Sequence, residues 1–123
     1  MTDLSNFDPN SVDDLLERIF DDVKDVGKEW LNENSDVVGG YFRSLAEAAL
    51  QTRFSLEAGK ISAEYADQVL HMQQAAFRQT IKYTRFMTLV LSQKIVDTVF
   101  TIIAYVIMNK TGLNLFPELA KNT

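Results

Sequence analysis

The sequence predicts an all-α fold, and three observations carry that prediction. Apolar residues recur at helical spacing through two separate stretches, 12–31 and 41–56. A third stretch, Lys60–Thr111, holds neither glycine nor proline and grows steadily more apolar toward Met108. No strict apolar–polar alternation runs long enough to make a strand. The architecture expected is an acidic amphipathic helix, an αα-hairpin and a long apolar C-terminal helix, either elongated or bundle-like in an oligomer. At 123 residues the chain can build one core, and with no cysteine that core must be held by packing alone.

Residues 1–10 read as a flexible, acidic lead-in with no basic-then-apolar pattern, so no secretory signal is expected. The first helix is predicted over 11–33. Ser11 is placed to cap it, with Asp14 three residues on, and Val12, Leu15, Leu16, Ile19, Phe20, Val23, Val26, Trp30 and Leu31 line one face. Its acids, Asp14, Asp21, Asp22 and Asp25, fall largely on the other side and read as a solvated face. An end near Asn32–Asn34 is expected, followed by a second helix over 36–58 that Ser35 and Asp36 open. Gly59 closes that helix as a left-handed cap and Ser62 opens the next. The punctuation from Gly59 to Tyr65 resembles the tight turns of short helical oligomerisation hairpins in bacterial proteins. It covers about twenty residues and implies no function.

After Ser62 no strong stop appears before Gly112. A single helix over 62–111 would be about 70 Å long, against a radius of gyration of about 14 Å for a compact domain of this size. Either the helix breaks near 84–92, with Thr84, Thr88 or Ser92 as caps, or the protein is elongated and completes its core in an assembly. The lack of glycine, proline or a turn cluster favours the elongated form. Residues 112–123 form a C-terminal tail.

The apolar end of this helix poses the question of its surroundings. Residues 89–108 hold eleven Leu, Ile, Val or Phe side chains, which favour bilayer insertion by roughly 3–7 kcal/mol. Lys94 and Asp97 oppose insertion by about 5–7 kcal/mol at mid-helix. The terms nearly cancel. The interface or membrane-contact candidates are Phe86, Leu89, Val90, Leu91, Ile95, Val96, Val99, Phe100, Ile102, Ile103, Val106 and Ile107. Lys94, Asp97, Thr98, Thr101 and Tyr105 fall in one polar stripe, where Lys94 and Asp97 are spaced to pair. The surface over Phe86–Met108 looks too wide for the rest of so short a chain to cover.

The net charge of −5 hides an asymmetry. Residues 1–40 hold eleven acids against Arg18, Lys24 and Lys28, a balance of −8, whereas 41–123 hold nine bases against six acids, a balance of +3. Nucleic acid is therefore not an expected partner of the acidic half. Chemistry has little to work with. Glu64, Asp67 and His71 share a helix face but make an incomplete metal motif. The acids of the first helix lack an environment that would split their pKa values. Gly39-Gly40 lacks the rest of a phosphate-binding fingerprint, and Trp30, Tyr41, Phe42 and Phe54 read as packing aromatics. No catalytic residue, metal or cofactor is expected.

These features predict a non-catalytic helical assembly protein that oligomerises or docks into a larger complex through its apolar C-terminal helix. Virion components and accessory subunits are of this class, and a cytoplasmic or virion-internal location goes with it. One alternative is a membrane protein with an acidic cytoplasmic head and one C-terminal span, its polar stripe facing a partner or pore. A second is a soluble acidic helical adaptor or inhibitor.

Overall fold

The computed structural model describes Pro9 and residues 11–111, with side chains to Met108. Apart from Pro9, the expected lead-in and tail lie outside the described residues. The described chain is all-helical: α1 spans Val12–Glu57, α2 Ala63–Ile81 and α3 Leu89–Thr111.

Local capping explains most of the boundaries. Ser11 is the N-cap of α1, its hydroxyl accepting from the Asp14 amide at 3.2 Å. Gly59 takes a left-handed φ of 70° after α1, where the Gly59 and Lys60 amides close onto the Leu56 and Ser55 carbonyls. Ser62 then caps α2 by accepting from the Tyr65 amide at 3.1 Å. Thr88 caps α3, its hydroxyl accepting from the Leu91 amide at 3.0 Å.

Two expected boundaries are corrected. The first helix does not end at Asn32–Asn34, and Ser35–Asp36 opens nothing. Asn34 is buried inside α1, and its amide donates to the Trp30 carbonyl at 2.9 Å and to the Arg85 carbonyl, also at 2.9 Å. The break lies instead at Gly27, which adopts φ −153° and ψ 58° within otherwise helical backbone. There the chain folds back. Arg43 reaches Asp13 at 3.0 Å and Arg53 donates to the Pro9 carbonyl at 3.2 Å, although a straight helix would hold Asp13 and Arg43 about 45 Å apart. The arms of α1, residues 12–26 and 28–57, thus form a hairpin with its corner at Gly27.

Of the two forms expected for 62–111 the structure has the broken one, with Thr88 as a cap, and the preference for the elongated form is corrected. Residues 82–88 separate α2 from α3, so 62–111 is not one helix. The turn is held by side-chain hydrogen bonds that local sequence does not announce. Trp30 Nε1 donates to Thr84 Oγ1 at 2.6 Å, and Thr84 donates to the Ile81 carbonyl at 2.6 Å. With the Asn34–Arg85 bond, these fasten the α2–α3 turn to α1 near the Gly27 corner.

The core gathers one face of each of the four helical segments. Leu15, Ile19 and Val23 meet Trp30, Val38, Phe42, Ala46 and Ala49 from the other arm of α1, together with Leu70, Phe77 and Ile81 of α2. Four phenylalanines, one per segment, run through it in contact. Phe20 meets Phe42 edge-on at 5.1 Å between ring centroids, Phe42 meets Phe77 at 5.9 Å, and Phe77 meets Phe100 at 6.1 Å.

Candidate docking surface

Within the single chain, α3 is mostly a core helix. Ile95, Val96, Val99, Phe100, Ile102, Ile103, Val106 and Ile107 are each at most 1% exposed, packed chiefly against α1. The expectation that Phe86–Met108 presents apolar surface along its whole length is therefore corrected. Folding α1 back at Gly27 supplies a second helical wall, and a short chain covers more of α3 than three straight helices could.

What stays open is the beginning of the segment. Phe86 is 55% exposed, Leu89 83% and Val90 67%, while Leu91 and Met87 are half-buried against the core. Tyr83 is exposed just before them. Lys82 and Arg85 alternate with these rings, Lys82 Nζ lying 5.8 Å from the Tyr83 ring centroid and the Arg85 guanidinium 5.9 Å from that of Phe86. The nine residues 82–90 thus make one corner of mixed basic and apolar character.

The backbone of this corner is unusual. Phe86 takes φ 62°, the one positive φ at a non-glycine residue among those described. A side chain with a Cβ crowds the neighbouring carbonyl in that conformation, so glycine or asparagine normally occupies it. The anchored carbonyls and hydroxyls at Thr84 and Arg85 hold the strain in place.

The polar stripe is solvated along one side of α3. Lys94 is exposed, and Asp97, Thr98, Thr101 and Tyr105 are half-buried. The expected Lys94–Asp97 pair does not form. Asp97 instead accepts from Gln93 at 2.8 Å, and the exposed Lys94 takes part only through its backbone carbonyl, which accepts from Thr98 at 2.7 Å. Asp22 also departs from expectation. It is buried rather than part of a solvated face, with both carboxylate oxygens 3.1 Å from Arg18 Nε.

The other candidates separate in space. Trp30 and Phe42 are core residues, whereas Tyr41 and Phe54 are exposed, with the Arg53 guanidinium 5.1 Å from the Phe54 ring centroid. His71 Nδ1 lies 2.8 Å from the Asp67 carbonyl and 3.3 Å from its carboxylate. Among the described residues no group of three His, Cys, Asp or Glu side chains could hold a metal ion. The sequence does not signal the corner as such. Its ingredients were legible in Phe86, Leu89 and Val90, but their separation from the buried remainder of α3 depends on the fold of α1.

By length and composition, Leu89–Met108 is apolar enough to cross a membrane, with a mean hydropathy of 1.6, and half of it is buried within the fold. Core helices pass the same test. No protein-family model matches the chain, and no curated protein or solved structure shows significant similarity to it.

Proposed function

We propose that this chain is a non-catalytic helical docking protein, which attaches to a larger assembly through the corner formed by residues 82–90. The observation that supports this reading is the contrast along one helix. Eight large apolar side chains of α3 are buried, while Leu89 and Val90 at its start stand 83% and 67% exposed beside a half-exposed Phe86. Single exposed apolar residues are ordinary, but a cluster of them on one turn marks an interaction site. The contact is thereby narrowed from the whole apolar helix to its first turn and the loop before it.

The test compares wild type with a Leu89→Ser/Val90→Ser variant in cells producing either chain. Wild type should sediment with large complexes or membranes, and the variant should shift to the low-molecular-weight fraction while keeping its helical circular dichroism. If both chains run as small species, the docking reading is wrong.

A further inference from the structure

We infer that the occupant of this corner is an anionic lipid bilayer surface, an inference that rests on the docking reading and names its partner. Charge and the composition of the tip point to lipid, and the strained backbone at Phe86 is consistent with an outward-facing ring.

The first is charge. The chain has seventeen acids, yet none falls between Asp67 and Asp97. In that interval lie Arg78, Lys82, Arg85 and Lys94, all exposed, with Arg78 in the last turn of α2 and Lys94 in the second turn of α3. The exposed acids Asp25, Glu29 and Glu33 belong to α1, interspersed with Lys24 and Lys28, and Glu29 and Glu33 adjoin the Trp30 and Asn34 that bond to the corner, so the excess of base is confined to the 78–94 stretch itself. Juxtamembrane bases gain favourable energy near anionic headgroups.

The second is the composition of the tip. Exposed Tyr83 and Phe86 alternate with Lys82 and Arg85 and are followed by Leu89 and Val90. Amphipathic aromatics and bases beside aliphatic side chains are what the headgroup–acyl boundary accepts. The corner lies at the turn between α2 and α3 with its apolar and basic side chains exposed. Phe86, Leu89 and Val90 would enter the boundary while Lys82 and Arg85 hold lipid phosphates.

The third is strain. A phenylalanine at φ 62° with its ring half in water gains little for the fold from that ring. Backbone strain held by surrounding hydrogen bonds points to a task for the strained residue. Here that task is to present an aromatic ring outward.

The test floats the purified full chain with vesicles of phosphatidylcholine alone or mixed with phosphatidylserine. Wild type should bind the anionic vesicles and release at high salt, because exposed charge contacts are screened. Lys82→Gln/Arg85→Gln should weaken binding about 25-fold, at about fivefold per base. Leu89→Ser/Val90→Ser should weaken it at least about tenfold, from lost apolar burial. Met72→Ser, an exposed apolar site on α2, should change nothing. Phe86→Gly separates folding from binding, since glycine accepts a positive φ: the variant should unfold no earlier on heating and yet bind vesicles less well. Absence of vesicle binding, equal losses for Met72→Ser and Leu89→Ser/Val90→Ser, or binding that resists both high salt and alkali would each overturn the inference. Sedimentation without lipid tells the two readings apart. Self-association of wild type that Leu89→Ser/Val90→Ser abolishes, with no vesicle binding, keeps the docking surface and assigns it to protein. If wild type shows neither behaviour, the lipid inference is overturned, and the docking reading falls with it only if wild type also runs as a small species in the cell fractionation above.

Discussion

Replacing Phe42 with alanine probes the fold at its most connected point. Phe42 is fully buried in the second arm of α1 and touches Phe20 of the first arm and Phe77 of α2. Truncating a buried phenylalanine typically costs about 3–5 kcal/mol. Its two ring pairs, each worth about 0.5–1.5 kcal/mol beyond area burial, place this site toward the upper end of that range. A domain of this kind has about 5–15 kcal/mol in total, so Phe42→Ala should remove a third or more of its stability. In urea, with a denaturant slope of about 1.5–2 kcal/mol/M, the unfolding midpoint read by circular dichroism should fall by about 2–3 M. Tyr41→Ala, one residue away but exposed, should cost less than about 1 kcal/mol. A double-mutant cycle with Phe77→Ala should return a coupling of about 0.5–1.5 kcal/mol. If Phe42 and Phe77 prove additive, or if Phe42→Ala costs no more than Tyr41→Ala, then the second arm of α1 does not pack against α2 as described.

Thr84→Val removes the acceptor of the Trp30 indole and should cost about 1–2 kcal/mol. Because Trp30 is the single tryptophan, its fluorescence should shift, and amides of residues 82–88 should exchange faster. Val99→Asp puts a carboxylate into a fully buried site and should unfold the chain by circular dichroism, whereas Lys94→Met and Asp97→Leu on the wet side of α3 should each stay within about 0.5 kcal/mol in urea titrations. Gly27→Val should destabilise by about 1–3 kcal/mol, since even a Cβ there would lie 3.0 Å from Leu91 Cδ1. Leu91→Ala in the same chain should recover part of the loss in thermal melts.

The sequence carried the helical class and three caps, because Ser11, Ser62 and Gly59 act on backbone within a few residues of themselves. It offered the break near 84–92, with Thr88 among its caps, only as one of two alternatives, and it did not carry the bend at Gly27. Gly27 sits inside an unbroken apolar period, Val23–Val26–Trp30, that reads as one helix face. At that bend the chain lies close against Leu91 and Ile95, 64 and 68 residues further along, which a local reading does not see. Conversely, Asn34-Ser35-Asp36 has good opening chemistry for a helix but remains helical, since Asn34 is engaged with Arg85. The α2–α3 turn shows the same dependence, as its anchors Trp30 and Asn34 belong to α1. For the docking corner, the residue types were visible and their exposure was not, because exposure depends on which part of α3 the α1 hairpin reaches.

The reliance of α3 on α1 also orders events in time. A ribosome adds about 5–20 residues per second, so the 54 residues from Glu57 to Thr111 take roughly 3–11 s to follow. During that interval the inner faces of the α1 hairpin have no α3 to cover them, though helices and hairpins form within microseconds. Conversely, when Leu89–Met108 is completed its seat already exists. A helix with near-balanced insertion energy thus meets a seat tethered to it by its own chain, and weakening that seat, as at Phe42, would leave its apolar face uncovered.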